Sequence, residues 1–352
     1  MQGWKRIKSL RLSNNPLVMN LNFLLKVLML INFILLILQL FLMGTFWDFY
    51  QYPFLNLMVP VIAVINIFFF IFWIIKFKWP FLLFVFSILI GFKEWEKLYK
   101  FPNNAIPISN GIKVMSFNVR LFNSFKWIDA NSVPQSIESF IDKENPDLVC
   151  LQEYSKEFSP MFKNYPYQYI APSKKDGQNG LCILSKYPLE NRARLDFENS
   201  DNSALYAEFY YKKDSIRIYN VHLESLRINL KDTLFTQEHS QKFLDRIQSV
   251  IKEQELQIDL FEKIDKKNNY PTIICTDLNN NAFSRVYKRL KDDRSDAFVI
   301  SGDGLGATYK LAYFPFRIDF IFVDKKFKVI NFETHDLKLS DHKPISALLE
   351  WK

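Results

Sequence analysis

Six short apolar stretches in the C-terminal two-thirds of the chain end or begin on side chains that could do chemistry. Asn118 closes Val-Met-Ser-Phe, Glu153 closes Leu-Val-Cys-Leu-Gln, and His222 follows Ile-Tyr-Asn-Val. Asp277 and Asn279 come just after Ile-Ile-Cys-Thr, Asp319 stands between Arg317-Ile318 and Phe320-Ile321-Phe322-Val323, and Asp341-His342 precede the run from Ile345 to Trp351. A carboxylate at the end of a buried strand costs stability unless it is paired or holds a cation. One such residue is ordinary, and an Asp-His dipeptide is by itself most often a surface turn. Six places in one domain, supplying Asn, Glu, His, Asp, Asn, Asp, Asp and His, point to a shared site.

Oxygen donors from Glu153, Asp341 and the Asn118 amide suit a hard ion such as Mg2+, with Mn2+ as a substitute. Zn2+ would call for more His or Cys. Two imidazoles with carboxylate partners can polarise a water and protonate a leaving oxygen, and amides can steady phosphoryl oxygens. The sequence holds no phosphate-cradling Gly-rich loop, nucleophile elbow or dinucleotide fingerprint. The set fits metal-assisted hydrolysis of a phosphoester by direct attack of water.

Such residues need a scaffold that brings strand ends together. Strands are predicted over 111–118, 147–152, 181–185, 205–211, 215–222, 272–275, 317–323 and 345–351, with helices over 133–143 and about 226–264. Strands separated by helices indicate an α/β layered domain. Cys150, Cys182 and Cys275 all lie in strand-like apolar runs without Cys-x-x-Cys spacing, so they read as buried free thiols. His239 reads as a solvated helix face, His335 as a strand-end surface residue, and Lys174-Lys175 and Lys325-Lys326 as hairpin tips.

The N-terminal third has another texture. Leu21 to Met43 is apolar apart from Asn22, Lys26, Asn32 and Gln39, Phe54 to Ile75 apart from Asn56 and Asn66, and Trp79 to Phe92 carries no charge. The expectation is a membrane anchor over 1–100 with transmembrane helices at about 21–43, 54–75 and 79–92, a linker at 101–110, and a catalytic domain over 111–352. Lys5, Arg6, Lys8 and Arg11 place the N-terminus in the cytoplasm. Three spans would then put the catalytic domain of a multi-pass membrane protein on the extracytoplasmic side. No acidic residue lies inside these runs, which argues for an anchor over an ion pathway. The net charge of +8 belongs to this part: residues 1–100 carry 10 Lys+Arg against 3 Asp+Glu, and the rest carries 35 against 34. That balance argues against tight nonspecific binding of nucleic acid.

Ser116-Phe117-Asn118-Val119-Arg120, Leu151-Gln152-Glu153, Asn220-Val221-His222-Leu223, Thr276-Asp277-Leu278-Asn279, Arg317-Ile318-Asp319-Phe320 and Ser340-Asp341-His342-Lys343-Pro344 resemble, in order and spacing, the motifs of the endonuclease/exonuclease/phosphatase superfamily. That group includes deoxyribonuclease I, abasic-site endonucleases, inositol-polyphosphate phosphatases and neutral sphingomyelinases. The resemblance covers about residues 111–351. It implies a four-layer α/β/β/α sandwich, here preceded by two to three transmembrane helices, with the site at one end. It also implies that Glu153 holds Mg2+ with help from Asn118 and Asp341, that Asp277 orients or deprotonates the attacking water, and that Asn279 contacts the phosphate. His342, steadied by Asp319, would act as base or stabilise phosphorane-like charge, and His222 would be a second phosphate-contacting or acid group. Asn179, in Asn179-Gly180, matches a segment that can contact the phosphate side. Two features depart from the pattern. Thr276 stands where the family prefers Gly, and His222 stands where abasic-site endonucleases usually carry Tyr.

The expected activity is membrane-anchored, metal-dependent phosphoester hydrolysis, on nucleic acid, a phospholipid headgroup or a small phosphoester. No obligate protein partner is indicated. The competing readings are a non-catalytic phosphate-binding module on the same fold and a lipid phosphodiesterase of sphingomyelinase type.

Overall fold

The structure, a computed structural model, describes residues 16–46, 53–102, 111–130, 132–173, 177–198, 200–227, 237–311 and 314–352. It divides into two units, Met1–Phe49 with Met58–Trp95, and Tyr50–Leu57 with Glu96–Lys352.

The first unit is helical: α1 (Pro16–Leu42), α2 (Val59–Ile75) and α3 (Phe81–Ile90). Among the described residues only Leu21–Leu42, 22 residues with a mean hydropathy of 2.5, is long and apolar enough to cross a membrane. The multi-span anchor expected from composition is therefore not supported, and the topology built on three spans loses its basis. The second apolar run does not form one helix because Pro60 lies in the first turn of α2. Its ring would clash with the carbonyl four residues back, at Asn56, so the helix cannot run through. The 17 residues of α2 reach roughly 25 Å and the ten of α3 roughly 15 Å, against roughly 30 Å of hydrocarbon. Three of the polar residues that interrupt the apolar runs, Asn32, Gln39 and Asn66, face one another. Asn32 donates to Asn66 (3.2 Å), Asn66 donates to Gln39 (2.7 Å), and the Trp73 indole donates to Asn32 (3.1 Å).

Among its described residues the second unit carries fourteen strands: β1 (Ile112–Asn118), β2 (Leu148–Ser155), β3 (Tyr167–Pro172), β4 (Asn179–Ser185), β5 (Glu190–Asp196), β6 (Ser203–Tyr211), β7 (Asp214–His222), β8 (Thr272–Asp277), β9 (Ser295–Asp296), β10 (Tyr309–Leu311), β11 (Phe314–Phe316), β12 (Asp319–Val323), β13 (Phe327–Thr334) and β14 (Ile345–Trp351). They form two six-stranded sheets, β13-β14-β1-β2-β4-β3 and β5-β6-β7-β8-β12-β9, and a β10-β11 ribbon. Strand alternation sorts the side chains into layers. Ile112, Val114, Cys150 and Ile183 of one sheet meet Ile216, Ile218, Ile273, Cys275 and Ile321 of the other in a central core. The outer face of the first sheet packs against helix α4 (Val133–Glu144) through Ile137 and Ile141. The outer face of the second packs against α5 (Gln237–Asp265) and α6 (Arg285–Lys291) through Ile258, Phe261, Val286 and Leu290. This is the expected α/β two-sheet sandwich.

Each sheet has one parallel pair near its centre, β1 with β2 and β7 with β8. The helical crossovers are α4 and α5, as parallel neighbours require. Both pairs end at the same side chemistry: Asn118 beside Gln152 in one sheet, His222 beside Asp277 in the other. All three cysteines are buried and free, as expected. His335 is not a surface residue. It is 5% exposed, bonds Ser346 Oγ at 2.9 Å, and lies edge-on to Phe140, because β13 brings it under α4. Lys325-Lys326 occupy the β12–β13 turn as expected, whereas Lys174-Lys175 and the His239 side chain lie outside what is described.

Candidate active site

The inward-facing residue of each central strand changes character toward one end. In β1 the series is Ile112, Val114, Ser116, Asn118; in β7 it is Ile216, Ile218, Asn220, His222; in β8 it is Ile273, Cys275, Asp277. The period of two thus carries an apolar core into a polar layer and then into a reactive one. β2 would break the pattern, because with Gln152 inward Glu153 should point outward. A bulge between Leu151 and Tyr154, where the pairing with β4 shifts, puts Glu153 at φ +46 and turns it toward the site.

Asp277, fully buried, is the hub. Its Oδ1 accepts the Asn279 N–H (3.0 Å), and its Oδ2 accepts the Asn118 side-chain amide (2.9 Å). The same Asn118 nitrogen donates to Glu153 Oε1 (3.0 Å), so one neutral amide holds two carboxylates from opposite sheets together. The Asn118 Oδ1 accepts the Arg120 N–H at 3.0 Å. Two imidazoles flank Asp277 Oδ2, with His222 Nε2 at 3.5 Å and His342 Nε2 at 3.7 Å.

His342 is held from behind by Asp319, whose carboxylate lies 3.0 Å from Nδ1. Asp319 pairs in register with Asp277, and Thr308 Oγ1 accepts its N–H. Burial alone would disfavour an imidazolium here. The Asp319 and Asp277 carboxylates outweigh it and push the His342 pKa up to about 10. Asp277, Asp319 and His342 also bring one ligand atom each within 4.8 Å of one another, close enough to share a cation.

Asp341 joins the set less directly. Arg120 lies 3.2 Å from its Oδ2 and stacks at 4.0 Å over the Trp127 ring, while the Ser340 hydroxyl donates to the Asn118 carbonyl at 2.8 Å. Asn279, at φ +50, donates its side-chain amide to the Leu223 carbonyl at 3.0 Å. Asn179, Glu153 and His222 line one cleft of ≈ 590 Å³ with Asp201, Glu224 and Arg227. The structure therefore gathers all nine expected residues at one end of the sandwich, with Asn179 across the cleft. Arg120, Thr308 and Tyr309, whose ring lies 5.1 Å from the His342 ring, have no assigned part in the sequence reading. Arg120 stands two residues beyond Asn118 in a quoted motif, so spacing could have found it. Thr308 and Tyr309 lie in and beside a short ribbon with no periodic signal.

A two-sheet α/β sandwich with carboxylates, amides and imidazoles gathered at its strand ends is a deoxyribonuclease-I-like domain. Residues 115–342 match the family model described as Endonuclease/Exonuclease/phosphatase family, and the chain belongs to that family. Residues 44–98 match a domain of unknown function (DUF8431). Among curated proteins no relative matches. Solved structures with this fold include the endonuclease/exonuclease/phosphatase from Bacteroides vulgatus, 17% identical, covering 69% of this chain and 100% of that one with a TM-score of 0.54. The human Nocturnin catalytic domain with bound sulfate is 16% identical over 70% of this chain and 96% of its own, with a TM-score of 0.52. D. rerio TDP2 complexed with single strand DNA product is 17% identical over 69% and 100%, with a TM-score of 0.52. At these identities the likeness shows the fold alone.

Proposed function

We propose that the chain is a divalent-cation-dependent phosphoester hydrolase. The observation that carries this reading is the Asn118 amide clamped between Glu153 and Asp277, with both imidazoles against the same Asp277 oxygen. The donor set fits a cation. Glu153, Asp277, Asp319 and Asp341 bring four formal negative charges, opposed nearby by Arg120 and His342. Asp201, Glu224 and Arg227 of the same cleft bring the surplus to three negative charges, which favours a cation, and the donors are oxygens that suit Mg2+ or Mn2+. Glu153 and Asp341 would hold it. Asn118 would help through its grip on Glu153 and through its side-chain oxygen, which has a second lone pair beyond the one that accepts the Arg120 N–H. When bound, such an ion supplies Lewis-acid polarisation of a phosphoryl oxygen.

The chain's own groups then divide the remaining work. Asp277 Oδ2 faces the site and accepts the proton of the attacking water. His342, fixed at Nδ1 by Asp319, presents Nε2 to the phosphoryl oxygens, where charge develops. His222, lining the cleft, donates toward the leaving oxygen. Asn179, from the cleft wall, and Asn279, beside Asp277, steady the phosphate.

The substrate is a phosphodiester or phosphomonoester. The balanced charge of residues 101–352 weighs against long polyanions, and the Leu21–Leu42 helix weighs toward substrates at a membrane. A non-catalytic phosphate binder would be expected to lack some of these groups, and none is lacking. The test uses full-length protein in detergent with Mg2+ and offers bis-p-nitrophenyl phosphate, p-nitrophenyl phosphate, single-stranded DNA and sphingomyelin, with Glu153→Ala alongside. Hydrolysis of at least one substrate by the wild type alone supports the reading. No hydrolysis, or equal hydrolysis by Glu153→Ala, overturns it.

A further inference from the structure

The polar layer beneath the reactive one contains a connection that the chemistry above does not use. Asn220 sits on β7 where the inward series Ile216, Ile218 calls for another apolar residue, and it is fully buried. Its amide crosses to the opposite sheet. Nδ2 donates to the Leu151 carbonyl and to the Cys182 carbonyl, both at 2.9 Å, and Oδ1 accepts from Gln152 Nε2 at 2.7 Å. Gln152 Nε2 also donates to Ser116 Oγ at 3.1 Å. Leu151 and Cys182 face each other across β2 and β4, and they are the last regular pair before the bulge that carries Glu153. A buried polar side chain between two apolar sheets is costly unless its hydrogen bonds are made. Here every one of them lands on the residues flanking the bulge.

We propose that Asn220 is a positioning residue: from the second sheet it fixes where β2 leaves its ladder, and so sets the Glu153 carboxylate relative to Asp277 and His222. The two half-sites come from different sheets, and sheets packed through apolar side chains alone carry no directional bond to fix their offset. Asn220 supplies three such bonds, one step below the Asn118 clamp. The consequence for cation affinity rests on the reading that Glu153 holds the ion; the consequence for the bulge does not.

The experiment compares full-length wild type, Asn220→Asp, Asn220→Ser and Ile218→Val. Asn220→Asp keeps the shape and leaves at most one donor, a carboxyl proton, for the two carbonyls, Asn220→Ser is a second variant should the first not fold, and Ile218→Val loosens the same strand one layer deeper without touching the bulge. Two readouts are taken: amide hydrogen exchange over 151–155 in EDTA, and Mn2+ affinity by titration with the metal alone. The Asn220 variants are expected to exchange at least about tenfold faster over 151–155 and to bind Mn2+ at least about tenfold more weakly, as lost outer-shell contacts do. Ile218→Val should do neither. Exchange over 151–155 as slow as in the wild type, in a folded Asn220 variant, overturns the inference. So does an equal effect of Ile218→Val. Faster exchange with wild-type Mn2+ affinity overturns the link to the ion. A wild type that binds no Mn2+ overturns the hydrolase reading, while the exchange result still decides the role of Asn220.

Discussion

Replacing Asn118 by Asp changes one atom of the clamp and reverses its electrostatics. The amide now donates to Glu153 at 3.0 Å and to Asp277 at 2.9 Å, from a position 1% exposed. With Asn118→Asp those contacts set like charges about 3 Å apart, worth about 5 kcal/mol of repulsion each at an effective dielectric of about 20. The protein escapes by protonating the new carboxyl. At pH 7 that costs about 4 kcal/mol for a group that ionises near 4 in the unfolded chain, which caps the loss. For a domain of this size 4 kcal/mol lowers the melting temperature by roughly 8–16 °C. The sign follows from linkage: the folded variant binds the proton more tightly than the unfolded chain, so its deficit grows as pH rises above about 4 and at pH 5 is about a third of its size at pH 7. A cation held by Glu153 and Asp341 would offset that repulsion. Thermal unfolding of the full-length variant in EDTA should therefore show a deficit at pH 7 that shrinks at pH 5. Mg2+ should raise its melting temperature more than that of the wild type. A variant that melts with the wild type in EDTA, or one that Mg2+ stabilises no more than the wild type, would refute the electrostatic argument.

Two further expectations follow from neighbouring contacts. Asp319→Asn keeps a hydrogen-bond partner for His342 Nδ1 but removes its charge, so kcat on whichever phosphoester is cleaved should fall at least about 100-fold with KM little changed; a change below threefold in kcat contradicts the role of the pair. Arg289 reaches Asp259 (2.6 Å) and Glu262 (2.8 Å) on α5 from its place on α6, and its hydrogen bond holds the Glu262 carboxyl below its ordinary value. That stability is present above about pH 4.5 and is lost as pH falls further, so Arg289→Met should cost about 1 kcal/mol at neutral pH and low salt and almost nothing near pH 3. Denaturant unfolding at the two pH values measures it.

The reactive residues were legible because each closes or opens a buried strand, and a buried strand announces itself by a run of apolar, β-branched residues. Four of the strands that were missed share one position. β3, β5, β9 and β13 are the outermost strands of their sheets, and edge strands carry polar and charged residues that discourage further pairing. β5, Glu-Asn-Arg-Ala-Arg-Leu-Asp, reads as loop for that reason. His335 was misplaced by the same omission: without β13 nothing put it beneath α4. The bulge that turns Glu153 inward has no signature in Leu-Gln-Glu-Tyr, where simple alternation sends the carboxylate outward. In the N-terminal part, composition measured hydrophobicity well and helix length poorly, because Pro60 interrupts an apolar run without lowering its hydropathy. Asn32, Asn66 and Gln39 looked like blemishes in those runs and turn out to bond one another.

Every role proposed for this site requires that Glu153 complete a cation-dependent hydrolytic centre. The direct measurement is hydrolysis of bis-p-nitrophenyl phosphate by the full-length protein, titrated with Mg2+ from an EDTA-treated start, for wild type and Glu153→Gln. The wild type should be inactive in EDTA and saturate with Mg2+, and Glu153→Gln should need at least about tenfold more Mg2+ or remain inactive. Hydrolysis that persists in EDTA, or a Glu153→Gln curve that overlays the wild type, would contradict it.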